Sequence, residues 1–374
     1  LSEPTLKALT QEFNYTTMSP VQAQVLSLLP TDRDLLVRAR TGTGKTLAFV
    51  IAALESALHR RQGARFDSSS ITILVLSPTR ELANQIAEES RRLIRFHGYG
   101  VGIAVGGPGR RNNLADLVRR RVDILAATPG RILDYLQNEP DFRAKLAGME
   151  TLIFDEADQL LEMGFKDAIA DIVSYLPRER QTFMFSATFS EDIKRIAKLT
   201  LQPNYNYVDA VPTNETPTHL AVRQTYAIAN YHQMLPTLYE VIKQHYASNP
   251  LAKVIVFFST TKIVSYLSSV FNSIPGMDVL EIHSKLSQIE RSRVANRFRT
   301  ATSAVLFTSD VSARGVDYPG VTLVMQLGMP SAREQYIHRI GRTGRAGKTG
   351  EGILMLAPFE KTFLTELKDL PIKE

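Results

Sequence analysis

Gly42-Thr43-Gly44-Lys45-Thr46 gathers three kinds of group that can act on a phosphate chain: backbone amides bared by glycine, an ammonium and a hydroxyl. Gly42 and Gly44 permit a tight turn that points successive N–H groups inward, and a helix opening after them presents its positive end to the same anion. Lys45 would reach the terminal phosphates, Thr46 would place a hydroxyl on Mg²⁺, and Thr41 and Thr43 line the same turn. Ala39 stands where the general phosphate-loop pattern has Gly, and the string also fits an ordinary βα turn with two glycines. Farther on, Asp155-Glu156-Ala157-Asp158 offers adjacent carboxylates. Asp155 is placed to hold Mg²⁺, directly or through water, since that ion prefers oxygen ligands and keeps several waters. Glu156 is the candidate base or water-orienting group, a role worth roughly 10²–10⁴ in rate. Near the end, Arg339 and Arg342 stand three apart, hence on one face if that stretch is helical. An arginine's planar fork stays charged and can grip phosphate oxygens, so either could serve as an arginine finger worth about 10³–10⁵ in rate. The same pair also fits a helix surface laced with ion pairs.

These groups need strands to carry them. In the first half, apolar runs at Leu35–Val37, Ile71–Leu76, Ile124–Ala127, Leu152–Phe154 and Phe183–Phe185 each end in a polar or glycine-containing motif. Helix-like segments separate them, which predicts an α/β fold: a mostly parallel sheet covered by helices, with ligands at the carboxyl ends of the strands. The second half repeats the pattern at Val254–Phe258, Val279–Ile282, Ala304–Phe307, Val321–Met325 and Ile353–Leu356. Its motifs, Ser259-Thr260-Thr261, His283-Ser284 and Thr308-Ser309-Asp310, follow the strands in the same way, but it has no phosphate loop of its own. Residues 209–220, rich in Pro and Thr, read as a linker between a first domain at 1–208 and a second at 221–374.

At 374 residues, two domains are expected from length alone. Cys is absent, which excludes disulfides and thiolate metal sites, and the 7 His are scattered without metal-ligand spacing. No run reaches the length of a membrane span, so no membrane partner is expected. Leu1-Ser2-Glu3-Pro4 does not resemble a signal peptide, and the absent initiator Met suggests a trimmed chain. The net charge of +6 suits a polyanionic partner, and equally a simply basic protein.

Taken in order, these motifs resemble those of the DEAD-box family of superfamily 2 RNA helicases, over essentially the whole chain. The resemblance implies two tandem RecA-like domains forming a monomeric core, an RNA-dependent ATPase and helicase, with ATP and Mg²⁺ as cofactors. It implies that Gln22 reads the adenine edge and that Tyr15 packs on the base, although Asn14, Met18 and Ser19 depart from the usual Gly, Pro and Thr. Gly315 and Asp317 would meet the nucleotide from the second domain. Ser186 and Thr188 would couple hydrolysis to closure through hydrogen bonds with Asp158 and His338. RNA would touch Pro78, Thr79, Arg80, Gly106, Gly107, Thr128, Gly130 and Arg131 on the first domain, and Thr260, Gln288, Arg291, Thr308 and Asp310 on the second. Little in that set reads base edges, so sequence-independent binding to single strands and short duplexes is expected. A helix starting near Arg131 resembles the family's strand-bending wedge. The stretches 158–165 and 352–360 are similar to fungal mitochondrial and plant organellar RNA chaperones, which implies an intracellular, organellar setting. An ATP-gated RNA clamp with partner-controlled hydrolysis would use the same residues, and a DNA-dependent ATPase is a further alternative.

Overall fold

The apolar runs lack alternation because both faces of each strand are covered. The computed structural model describes residues 1–374 apart from 40–41, 63, 108, 212–221, 311–317 and 345–348. Two units, Leu1–Thr213 and Asn214–Glu374, each hold a seven-stranded sheet whose paired neighbours all run parallel.

In the first unit, α1 (Glu3–Gln11) and α2 (Pro20–Leu26) precede β1 (Leu35–Arg38) and α3 (Lys45–Arg60). Then come β2 (Ile73–Leu76), α4 (Arg80–Leu93), β3 (Val101–Ala104), α5 (Arg110–Arg119), β4 (Ile124–Ala127), α6 (Pro129–Asn138) and α7 (Pro140–Leu146). The unit closes with β5 (Thr151–Phe154), α8 (Ala157–Glu162), α9 (Lys166–Tyr175), β6 (Gln181–Ser186), α10 (Glu191–Thr200) and β7 (Asn206–Asp209). The second unit runs β8 (Arg223–Ile228), α11 (Tyr231–Ser248), β9 (Lys253–Phe258), α12 (Thr261–Asn272), β10 (Val279–Ile282), α13 (Gln288–Thr300) and β11 (Ala304–Thr308). It ends with β12 (Leu323–Leu327), α14 (Arg333–Ile340), β13 (Glu351–Leu356), a 3-10 helix (Pro358–Leu367) and β14 (Ile372–Lys373).

The strand orders are β3-β4-β2-β5-β6-β1-β7 and β10-β11-β9-β12-β13-β8-β14. Adding seven to each label of the first gives the second, so the two units are one architecture used twice. Strands β3, β7, β8 and β14 were not expected from sequence. Apart from β8 they lie at sheet edges or are two residues long, and all four are only partly buried, so their apolar signal is weak. Strand β7 reaches Asp209, one residue into the expected linker, and Arg38 on β1 pairs with that carboxylate at 3.2 Å.

Alternate residues of each strand feed opposite cores. Val37, Val75, Ile153 and Phe185 pack with α3 and α4 residues on one face; Leu36, Leu74, Phe154 and Met184 pack with α6, α8 and α9 residues on the other. Each such side chain is essentially fully buried and contributes about 1.5–3 kcal/mol. The second sheet divides likewise, with Val254, Val256 and Phe258 on one face and Ile255 and Phe257 on the other. Charge is unevenly shared: 18 of the 44 basic and 13 of the 38 acidic residues fall in 214–374, leaving +5 of the net +6 there. Among the described residues no helix is long and apolar enough to cross a membrane.

Burial lowers the pKa of His97, His245 and His283, against the opposing pull of Glu55, Glu351 and Glu281 respectively. An unfolded His titrates near 6.5, so just below that pH the unfolded chain binds more protons than the folded one. Their contribution is therefore present above about pH 6.5 and lost progressively as the pH falls below it, through the lowered pKa of the folded state. We expect the urea midpoint to drop between about pH 7.5 and 5.5 and to drop less in a His283→Gln variant; equal slopes would exclude His283 from the effect.

Candidate functional site

The loop after β1 has the backbone its glycines allow. Gly42 and Gly44 take φ of 77° and 86°, the left-handed region that side chains disfavour. Gly44 caps α3, and a Cβ there would stand 2.7 Å from Gln22 Nε2. Glycine is thus needed for both conformation and space. Gln22 Nε2 donates to Gly44 O at 3.1 Å, and Gln22 Oε1 accepts from Ser19 N at 2.9 Å in the capping box that opens α2. A primary amide has two donors and two lone pairs, so one of each remains, the complement that pairs with adenine N6 and N7. Tyr15 is 52% exposed, with its ring 5.6 Å from that of Phe13. Asn14 before it has φ of 53°. Asparagine tolerates that region better than most residues, which accounts for its standing where Gly is usual. Thr41 lies outside the described residues.

Lys45 is the first residue of α3 and is 6% exposed; among the described residues its Nζ has no hydrogen-bond partner. A buried ammonium is costly unless it is matched by an anion. The nearby Asp155 carboxylate supplies part of that match, and a phosphate chain would supply the rest. Asp155 follows β5 and continues its ladder, its N–H donating to Leu76 O at 2.9 Å. Burial pushes its carboxyl up, opposed by Lys45 and by the Glu156 N–H that donates to Oδ1 at 2.9 Å. Glu156 sits at φ 49°, ψ 54°, unusual for a residue that is neither Gly nor Asn. Such a conformation costs about 1–3 kcal/mol and persists where surrounding contacts impose it, most often at reactive sites. Thr46 is 9% exposed on the same first turn as Lys45. Thr46 and Asp155 are therefore available for Mg²⁺, which needs few protein ligands when phosphates and water complete its shell.

Asp158 ties this segment to the end of β6. Its Oδ2 accepts from Ala187 N at 3.2 Å, Thr188 N at 3.1 Å and Thr188 Oγ1 at 3.2 Å. The Ser186 hydroxyl makes no bond to Asp158 here: among the described residues it is buried without a partner, because Ser186 is still in the strand while the chain turns its amides toward Asp158 one residue later. Ser186 instead contributes its carbonyl, which accepts from Ala39 N at 2.9 Å. The Ala187 amide was invisible to reasoning about side chains. His338 belongs to the second unit, where its carbonyl accepts from Arg342 Nε at 3.3 Å.

The first-unit RNA candidates converge at the carboxyl ends of β2, β3 and β4. Thr79 follows Pro78 and caps α4, accepting from Leu82 N at 3.3 Å. Arg80 lies against Gly106, where a Cβ would come within 2.8 Å of Nη2, and close to Gly107, where the distance to Nη1 is 3.3 Å. Arg131 Nη2 donates to Gly107 O at 3.0 Å and its Nη1 to Tyr135 Oη at 3.2 Å. Tyr135 Oη donates on to Asn113 Oδ1 at 2.9 Å, a support sequence reasoning missed. Thr128 caps α6, whose span contains the expected wedge, and a Cβ on Gly130 would meet nothing within 4 Å.

In the second unit Thr260 caps α12 and is exposed. Thr308 is not presented: it is fully buried, and its hydroxyl donates to Ile282 O at 2.8 Å. Arg291 is 4% exposed, and the side chain of Gln288 lies outside the described residues, as do Gly315 and Asp317. Two further expectations change together. Arg339 is 1% exposed and holds Asp310 through a fork, Nε to Oδ1 at 2.7 Å and Nη2 to Oδ2 at 3.0 Å, with Nη1 on Gln326 Oε1 at 3.4 Å. An arginine whose fork is so committed is not offered to a phosphoryl group, and both carboxylate oxygens of Asp310 are engaged with it. Arg342, 2% exposed, is the remaining finger candidate among the described residues. A cavity of about 530 Å³ between Tyr246, Met277, Leu280 and Val305 lies at the amino ends of β10 and β11, and no motif residue lines it.

Comparison with known proteins places these motifs. Residues 19–196 match the DEAD/DEAH box helicase family model, and 235–347 match that of the helicase conserved C-terminal domain. DEAD-box ATP-dependent RNA helicase 26 of Oryza sativa subsp. japonica is 42% identical over 377 residues, covering 100% of this chain and 69% of the relative. Helicase 25 of the same rice is 42% identical and helicase 31 of Arabidopsis thaliana 44%, with all of this chain matching 63% and 52% of their lengths. The chain thus spans between about half and two thirds of these curated relatives. Among solved structures, Mss116p (NTE and C-tail double deletion) bound to ssRNA and AMP-PNP superposes with a TM-score of 0.87 at 31% identity, over 100% of this chain and 77% of that one. Dbp5 of S. cerevisiae, bound to RNA and ADP BeF3, gives 0.79 at 26% identity, over 100% and 93%.

Proposed function

Because this chain belongs to the DEAD-box family of ATP-dependent RNA helicases, we propose that it is an RNA-dependent ATPase that separates short duplexes locally. The observation that carries this reading is the strained Glu156 beside Asp155, set among a buried phosphate-loop lysine with no hydrogen-bond partner among the described residues and the Asp158 link to Ala187 and Thr188.

The amides of the loop and Lys45 bind the phosphates of ATP, while Gln22 and Tyr15 take the base. Thr46 and Asp155 would hold Mg²⁺, which when bound supplies positive charge against the phosphate oxygens. Glu156 orients water and accepts its proton. Asp158 passes the state of that segment to the end of β6, whose carbonyl at Ser186 is bonded to Ala39 at the root of the loop. ATP closes the second unit on the first; Arg342 then faces the developing phosphoryl charge, with Gly315 and Asp317 toward the nucleotide. RNA lies along Arg80, Gly106, Gly107, Gly130 and Arg131 on one unit and Thr260 on the other. The start of α6 bends one strand out of duplex geometry, and hydrolysis reopens the units. The contacts are to backbone rather than base edges, so the role is that of a general RNA chaperone, and the stretches 158–165 and 352–360 support an organellar setting.

RNA-stimulated ATPase activity coupled to unwinding of a short duplex is the test, with matched RNA and DNA strands compared. Stimulation by RNA and not DNA is expected, with affinity falling at higher salt as counterions are released. Equal stimulation by DNA, strong sequence preference, or an ATP–RNA complex that persists without turnover would each overturn it. Gly130→Ala should separate fold from function. Alanine gains up to about 1 kcal/mol in a helix and meets open space here, so stability should rise slightly while RNA affinity falls severalfold. Unchanged RNA affinity would remove Gly130 from the interface.

A further inference from the structure

Because the second sheet repeats the first, β8 is the counterpart of β1, the strand that feeds the phosphate loop, and β13 is the counterpart of β6. The match extends to single hydrogen bonds. Ala39 N donates to Ser186 O at 2.9 Å beyond β1 and β6, and Ala229 N donates to Leu356 O at 3.0 Å beyond β8 and β13. In doubly wound sheets this carboxyl edge is where ligands gather. The second unit has no glycine loop there: β8 passes through Ala229 and Asn230 straight into α11.

What stands there instead is an aromatic pair. Tyr231, first residue of α11, and Phe359, second residue of the 3-10 helix, are 66% and 68% exposed, with ring centroids 5.9 Å apart and planes tilted by 48°. Two aromatic side chains at that exposure present on the order of 250 Å² of apolar surface, enough to ask what covers it. Both rings are held by satisfied backbone. Glu360 Oε1 accepts from Met329 N at 3.0 Å and its Oε2 from Ala357 N at 2.8 Å, which fixes the turn that carries Phe359. Asn230 N donates to Gln233 Oε1 at 3.3 Å at the start of α11. Met329, 46% exposed, follows the neighbouring strand β12, and β12 pairs with β9, whose end carries Thr260. The patch and Thr260 therefore lie at the carboxyl ends of strands in the same sheet, with the end of β12 between them. It also sits on the unit that holds +5 of the net charge, with Lys361, exposed, two residues after Phe359 in the chain.

We propose that Tyr231 and Phe359 form a base-stacking platform for single-stranded RNA, at the second unit's counterpart of the phosphate loop. The glycine turn that cradles phosphates is missing there, whereas every base has a face that stacks on an aromatic ring, and the net positive charge of the unit attracts the strand. The platform lengthens the RNA path of the proposed function and rests on that reading. Its consequence is a longer binding site rather than sequence preference.

The test measures equilibrium binding of oligouridine RNAs of about 8 to 20 nucleotides to the full chain with a nonhydrolysable ATP analogue. The parent is compared with Y231A/F359A and with Y231L/F359L, which retains apolar area but no ring. We expect both variants to bind the longer RNAs roughly 5- to 100-fold more weakly while the shortest bind as in the parent. 4-Thiouridine in the longer RNAs should cross-link to the peptides bearing Tyr231 or Phe359. Parental affinity in the alanine variant, or in the leucine variant alone, would overturn stacking. Loss of concentration-dependent self-association instead of RNA affinity would overturn it in favour of a protein contact. A parent that binds no RNA of any length would overturn the RNA-helicase reading itself, and the platform with it.

Discussion

Glu156→Gln should leave ATP and RNA binding near parental and slow hydrolysis by about 10²–10⁴. The amide keeps the size of the carboxylate and can occupy the same left-handed backbone position, φ 49°, so the capped turn that opens α8 is retained. At 6% exposure, a smaller side chain would leave a gap beside Asp155 and confuse a catalytic loss with a structural one. Glutamine removes the negative charge and with it the capacity to accept a proton, while keeping the shape. Single-turnover hydrolysis, with nucleotide affinity measured at equilibrium, separates the two effects. Hydrolysis at the parental rate would take Glu156 out of the reaction and leave Asp155 as the group to examine.

Asp310→Ala should destabilise the second unit by about 1–3 kcal/mol, the cost of leaving buried donors unsatisfied and less than for a fully buried ion pair, because the Asp310 side chain is itself partly exposed. Arg339 is the reason. Its side chain is 2% exposed, both edges of its fork are occupied, and its guanidinium lies 5.4 Å from the centre of the Phe257 ring. Without Asp310 that charge keeps one side-chain hydrogen-bond partner among the described residues, Gln326 at 3.4 Å. The reverse change is milder. Arg339→Met fills much of the same volume with apolar atoms, and Asp310, its side chain 40% exposed, can be hydrated. Hydrogen exchange along β11 and β12 should rise strongly in Asp310→Ala and less in Arg339→Met, with urea midpoints in the same order. If Arg339 were an arginine finger, Arg339→Met would retain stability and lose hydrolysis. That pattern would reverse the assignment made from its buried fork.

How much of this was legible beforehand follows from the range over which each feature is decided. The chemistry of the phosphate loop, the carboxylate pair and the alternation of apolar runs with helices could be read in order along the chain, because backbone conformation at Gly42 and Gly44 and burial of a strand such as Ile124–Ala127 depend on near neighbours and composition. Two domains of one architecture followed from the repeat of that pattern. The edge strand β3 did not announce itself, since its half-exposed residues carry a diluted apolar signal.

The sequence by itself determined which residue types were available for binding and hydrolysing a nucleotide, and on which strand ends they fall. Which of them are locked into the fold by a distant partner was settled by tertiary structure. Arg339 and Arg342 look alike in a string spaced by three, yet only the fold brings Asp310, 29 residues away, onto Arg339. Thr308 reads as a surface hydroxyl until β10 covers it and takes its hydrogen bond. The bond from Ala187 to Asp158 is made by an amide every non-proline residue possesses, so no choice of side chain could have flagged it. Local rules set conformation; long-range partners, which desolvate some polar groups and leave others reaching for a ligand, set the role.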